Sequence, residues 1–167
     1  RILIIFIFYF TSSFANDDVD IKNLIINKEL KRYDSITFLD DQNKKLYLND
    51  YKGSLILLNF WATWCAPCKK ELPKLDVLDQ NIPQSQLNII LVNIENIKYA
   101  KIQTFFDELK VKNLVSFFDV KLKLTKKLKL RGIPVTLIVN PKGKEVGRII
   151  GDLDFTDPRF ITWINIQ

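Results

Sequence analysis

The sequence predicts an α/β domain built on a central mixed β-sheet flanked by helices. Three observations carry that prediction. Continuous apolar runs of strand length stand at LILLNF (55–60), LNIILVNI (87–94) and VTLIV (135–139), and such runs suit strands buried on both faces. Segments with apolar residues at helical spacing separate them, so strands and helices alternate. The last run is followed by the turn NPKGK (140–144) and then EVGRIIG (145–151), a hairpin that makes the sheet mixed instead of purely parallel. At 167 residues and 47% apolar composition the chain is long and apolar enough for one domain with a true core.

The elements follow in order. Arg1, the apolar stretch ILIIFIFYF (2–10) and the small residues Ser13 and Ala15 before Asn16 read as a secretory signal peptide spanning 1–15. A retained anchor and a buried element are the competing readings, although nine apolar residues fall short of the ~20 that span a bilayer. Residues 16–34 are polar and mixed, a lead-in segment with one short element around Leu24–Ile26. The domain itself is expected over 35–167. ITFLD (36–40) and KLYLN (45–49) flank DDQNK and predict an N-terminal hairpin. After the first buried strand, Leu72, Leu75 and Leu78 predict a helix, with Pro73 inside it as a kink. Ile102, Phe105, Phe106 and Leu109 predict an amphipathic helix over 98–110, and VSFFD (115–119) a short strand. VKLKLTKKLKL (120–130) fits both periods, and its Lys content favours helix. TDPRFITWI (156–164) closes the chain as a helix capped by Thr156 or Asp157, with Pro158 in its first turn.

Composition excludes several chemistries. The chain has no His and no Met. Imidazole and thioether metal sites are therefore ruled out, as are Ser-His and Cys-His nucleophile pairs. The net charge is +6, and six basic residues cluster in 121–131: Lys121, Lys123, Lys126, Lys127, Lys129 and Arg131. A solvated face is the simpler reading of that run; a docking patch for an acidic partner or an anionic membrane is the sharper one. No nucleic-acid motif accompanies it.

The chemistry centres on WATWCAPCKKELP (61–73), which holds both cysteines of the chain, Cys65 and Cys68. A loop that leaves a strand and starts a helix puts Cys65 at the helix N-terminus, where unpaired N–H groups and the helix dipole favour a thiolate. Cys68 is three residues on, within reach to resolve a mixed disulfide. Pro67 suits an early helical position, and Trp64 is expected to pack beside the sulfurs and shield them. Zinc wants about four ligands and the chain offers two thiols. A static bridge across so short a ring would constrain little of the unfolded chain. A redox pair is thus favoured over a structural bridge or a metal clip. By spacing alone Glu71 reads as a solvent-facing helix residue more readily than as a proton carrier. Pro134, in Gly132-Ile133-Pro134, is awkward at the start of a buried strand unless it caps or bends it, and a cis bond would account for it; the residues alone leave the isomer open.

FWATWCAPCKKELP (60–73) together with RGIPVTLIVNPKGKEVGRIIG (131–151) resembles the exported thioredoxin-like thiol-disulfide reductases of the TlpA/ResA type, which include the cytochrome c maturation thioredoxins. The hairpin at 36–53 also resembles the lead-in of that family. The resemblance implies a thioredoxin-like fold with a central helix-strand insertion at roughly 98–119. It implies Cys65 as nucleophile, Cys68 as resolving thiol, Pro134 as a cis-proline facing the cysteines, and Glu71 as the acid behind them. Asn59 stands where a cytoplasmic thioredoxin carries a buried Asp, which the resemblance reads as a transfer of the proton role to Glu71. Trp64, Ala66, Pro67 and Ile133 are the implied substrate-contacting residues.

The function expected from this reading is an exported reductase, on the periplasmic or outer side of the inner membrane, that needs no cofactor and no metal. Its expected partners are a protein disulfide, such as that of an apocytochrome c or a copper-site protein, and a membrane electron donor that re-reduces the pair; a monomer is expected. A dithiol oxidase or isomerase keeps the same pair with the electrons reversed, and a non-enzymatic metal carrier would use it as a clip.

Overall fold

A computed structural model of the chain describes residues 20–33 and 35–167. The expected signal segment, 1–15, and the first residues of the lead-in lie outside the described residues. Among the described residues eight strands form one sheet: β1 (Leu24–Arg32), β2 (Thr37–Leu39), β3 (Lys45–Tyr47), β4 (Leu55–Trp61), β5 (Leu87–Asn93), β6 (Ser116–Phe118), β7 (Val135–Val139) and β8 (Lys144–Ile150). The helices are α1 (Ala66–Asn81), α2 (Tyr99–Leu109), α3 (Lys123–Lys127) and α4 (Pro158–Ile164). The strand order is β1-β8-β7-β4-β5-β6-β2-β3. β4, β5 and β6 run parallel, whereas β7, β8 and β1 add on antiparallel and β2 and β3 close the other edge. The expected hairpins, the buried strands and the mixed sheet are all present.

The period of two along β4 divides the core. Ile56, Leu58 and Phe60 face one cluster with Ile90, Val92, Leu124, Leu128, Val135 and Leu137. Leu57 and Trp61 face the other, with Leu72, Leu75 and Leu78 of α1, Ile102 and Phe106 of α2, and Phe160 and Trp163 of α4. All seven residues of β4 are buried, as are all five of β7, which is why their sequences show no alternation.

The lead-in differs from expectation. It is a nine-residue strand, β1, paired antiparallel to β8, with a register shift between Ile26 and Lys31. Its residues are mostly exposed, so burial leaves little apolar signature in LIINKELKR, and the shift breaks any alternation. Backbone pairing with β8 builds the strand instead. The ambiguous 120–130 stretch does become helix, though for five residues only. Asp119 holds its start, accepting from Leu124 N at 3.1 Å, Thr125 N at 2.8 Å and Thr125 Oγ1 at 2.6 Å. Of the two cap candidates for α4, Asp157 takes the role and Pro158 occupies the first turn.

Two loops are brought to one end of the sheet. In the β4–β7 register Phe60 lies opposite Val135. The C-terminal end of β4, leading to Cys65, therefore sits beside the N-terminal end of β7, preceded by Gly132-Ile133-Pro134. The α2–β6 segment packs close by: the ring of Trp61 stacks on Phe105 and Phe106 at 5.6 and 5.3 Å, and its Nε1 donates to Ser116 Oγ at 3.2 Å. Among the described residues no helix is long and apolar enough to cross a membrane.

Candidate active site

Between β4 and α1 the chain makes one tight turn. Cys65 N donates to Ala62 O at 3.1 Å, which leaves Thr63 and Trp64 at the two corner positions. Trp64 is 66% exposed, whereas Thr63 at the other corner is half-buried. This corrects the expectation that its ring shields the sulfurs. The sulfurs are buried by the core itself: Cys65 is 4% exposed and Cys68 fully buried, both within the α1 side of the core.

Cys65 is the N-cap of α1, and Cys68 N donates to its sulfur at 3.3 Å. Side-chain capping satisfies one of the orphan donors of the first turn, and the same position places the sulfur at the positive end of the helix dipole. The two sulfurs are joined in a disulfide with an S–S distance of 2.08 Å. Ala66 is exposed and Pro67 half-buried, in the first turn of the helix. The helix continues through Pro73 without a break.

Glu71 is not solvent-facing. It shares the inner stripe of α1 with Cys68, Leu72, Leu75 and Leu78, and is 1% exposed. Asn59, on the inner face of β4, donates through Nδ2 to Glu71 Oε1 at 2.8 Å and to Thr136 Oγ1 at 2.9 Å; Asn59 and Thr136 are direct cross-strand neighbours. Glu71 Oε2 and Asn59 Oδ1 are buried without a hydrogen-bond partner. Burial dominates this carboxyl and pushes its pKa from 4.5 up to about 8. The Asn59 amide and the Leu153 backbone oppose that rise, and the nearby Asp152 charge adds to it.

On the facing loop the Ile133–Pro134 peptide bond is cis, Pro134 is buried and Ile133 half-buried. Pro134 O accepts from Gly151 N at 2.9 Å. Gly151 has φ of 97°, a conformation that suits glycine.

The fold thus brings Trp64, Cys65, Ala66, Pro67, Cys68 and Glu71 together on one turn and one helix, with Ile133 and Pro134 at the same end of the sheet. Two further polar residues had no sequence signal of their own. Thr136 completes the Asn59–Glu71 network. Glu95 accepts from Thr63 N at 2.5 Å, Thr63 Oγ1 at 3.0 Å and Asn93 Nδ2 at 3.1 Å, fastening the turn that carries Trp64 and Cys65. Only the pairing of β4 with β7, for Thr136, and with β5, for Glu95 just beyond its end, could have located them. Among the described residues no group of acids or cysteines is arranged to hold a metal.

Comparison with known proteins agrees with this architecture. The AhpC/TSA family matches residues 24–145. The chain is 30% identical over 141 residues to the thiol-disulfide oxidoreductase ResA of Bacillus cereus, across 80% of this chain and 74% of that one. Its fold superposes on a putative thiol:disulfide interchange protein DsbE from Chlorobium tepidum with a TM-score of 0.66 at 20% identity, over 81% and 99% of the two chains. It superposes equally, at 23% identity and over 80% and 99%, on an exposed lipoprotein thioredoxin from Streptococcus pneumoniae.

Proposed function

Because this chain belongs to the AhpC/TSA family and, within it, to the thioredoxin-like thiol-disulfide oxidoreductases of the ResA type, we propose that it is a reductase of protein disulfides working through Cys65 and Cys68. The observation that carries the roles is the sulfur of Cys65 at the N-cap of α1, with Cys68 N donating to it. In the reduced protein that donor and the helix dipole favour a thiolate on Cys65. The Cys65 thiolate attacks one sulfur of the substrate disulfide. A mixed disulfide forms as the substrate S–S bond breaks, and the other substrate sulfur leaves as a thiolate. Cys68 then loses its proton and attacks Cys65; the Cys65–Cys68 bond forms and the second substrate thiolate leaves. Two electrons have passed to the substrate. Glu71 is suited to take the Cys68 proton, because its pKa near 8 lies close to that of an ordinary thiol at ~8.5.

Trp64, Ala66, Pro67 and Ile133 form the rim a substrate would touch. Among the described residues the backbone of Ile133 makes no hydrogen bond, leaving its N–H and C=O for an extended substrate segment. Pro134 sets that backbone in place. Export is supported by the apolar stretch at 2–10, and an oxidising compartment is where a reductase has disulfides to act on. Cysteine pairs awaiting cytochrome c or metal-site assembly are the substrates we favour, with a membrane donor returning the electrons.

Substrate trapping tests the roles. Cys68→Ala is expected to accumulate mixed disulfides through Cys65 in the native compartment, and Cys65→Ala to trap none. The reduction potential tests direction: a value near about −270 mV supports a reductase, and one near about −120 mV sinks it in favour of an oxidase.

A further inference from the structure

We propose that the basic stretch preceding Gly132-Ile133-Pro134 is a docking surface for an acidic segment of the substrate protein, one that flanks the disulfide attacked by Cys65. The proposal rests on the reading of Cys65 and Cys68 as the exchanging pair. Lys121, Lys123, Lys126, Lys127, Lys129 and Arg131 are all exposed. The fold holds them outward, because Leu124 and Leu128 anchor the same segment in the core. Five helical residues rise only about 7.5 Å, so the charges of Lys123, Lys126 and Lys127 on α3 are held within roughly one Debye length of each other.

Nothing among the described residues neutralises them. None of the six takes part in an ion pair there. Asp119, the acid next to the stretch, is buried and spends both oxygens on Leu124 and Thr125. Glu145 is fully buried and paired with Arg148, whose Nη1 donates to Leu128 O. Lys127 Nζ donates to the uncharged Ser35, through its carbonyl and its hydroxyl. Crowded like charges repel, and that repulsion is relieved when an anionic surface docks.

Position selects the partner. The stretch runs without interruption into Ile133 and Pro134, and the β4–β7 register places those beside the turn that carries Cys65. A protein docked here presents its disulfide to the pair. A bilayer lying on this face would cover the same end of the sheet and exclude a protein substrate from Cys65. The chemistry therefore favours an acidic polypeptide over an anionic lipid surface.

The test uses two synthetic peptides with the same internal disulfide, one flanked by three Asp and one by three Ser. The reduced protein is expected to reduce the Asp-flanked peptide about tenfold faster at low ionic strength, an advantage that collapses at high ionic strength. The triple variant Lys123→Gln, Lys126→Gln, Lys129→Gln is expected to lose the preference, and the corresponding triple change to Glu to invert it. Equal rates in the wild type, or a preference that survives both variants, overturn the proposal. Binding of the same peptides with serine in place of cysteine, followed by fluorescence anisotropy, needs no exchange chemistry. Preferential, salt-sensitive binding of the Asp-flanked version without reduction of either peptide would leave the docking surface standing and remove the exchange reading. Reduction and binding of both peptides alike would do the reverse. Patch-dependent binding to phosphatidylglycerol-phosphatidylcholine vesicles with no peptide preference overturns the proposal in favour of a membrane surface.

Discussion

Glu71 is the residue whose chemistry is most altered by its surroundings. A buried carboxyl with a partnerless oxygen is tolerable as a neutral acid and costly as a carboxylate. Its folded pKa of about 8 lies above the ordinary 4.5. Between those two values the folded protein keeps a proton that the unfolded chain has released. The contribution to stability is therefore fully present below about pH 4.5 and is lost as pH rises through about 8. Glu71→Gln is expected to flatten that slope. At pH 9 the variant should be more stable than the wild type by roughly 2–4 kcal/mol, read from denaturant unfolding, while near pH 4 the two should be close. A wild-type stability independent of pH over this window would contradict the assignment. On the proposed role of Glu71 as acceptor of the Cys68 proton, the same variant should also slow resolution of the mixed disulfide. Spacing puts Glu71 one turn after Cys68 on a related helical face and favours a solvent-facing residue, because helix spacing cannot say how wide the buried stripe is. Packing of α1 against Asn59 settled that.

Among the elements, α1 shows how one helix serves two purposes. Its first turn carries the cysteines, and its middle organises a distant loop through Asp76. That carboxylate is 3% exposed and accepts from Lys112 N at 3.1 Å, Asn113 N at 2.8 Å and Leu114 N at 3.2 Å, ahead of β6. Asp76→Ala would strand three backbone donors and should cost about 2–4 kcal/mol, read as a lower urea midpoint with an unchanged slope. A change under about half a kcal/mol would mean that the loop finds other partners. Sequence could not have singled out Asp76, because the backbone groups it holds lie more than thirty residues away. The length of β1 is not legible in the sequence for a related reason: an edge strand built by main-chain pairing need not be apolar.

At the scale of the whole molecule, burial is concentrated in the centre of the sheet, in β4 and β7, and thins toward β1. Leu57, on β4 and fully buried, lies between α1 and the strands on either side. Leu57→Ala should cost about 2–5 kcal/mol. Ile25→Thr, on β1 at 53% exposure, should change stability by no more than about 0.5 kcal/mol. Comparable losses at the two positions would show that the edge strand matters as much as the core. The same gradient suits the proposed chemistry, since the turn bearing Cys65 hangs from a strand whose seven residues are all buried.

By itself the sequence determined the alternation of buried strands and helices, the helix start at Cys65, the hairpins, and the cysteine pair as a redox candidate. These are properties of neighbours in the chain: apolar periodicity, turn chemistry and the spacing of two thiols. Only the tertiary structure decided that Glu71 is buried, that Trp64 is not, that Ile133–Pro134 is cis, that the lead-in is a strand, and that Glu95 and Thr136 belong to the site. Each of those depends on which strand lies beside which, and pairing between β4, β5 and β7 joins residues far apart in sequence whose side chains carry no local mark of the partner they will meet.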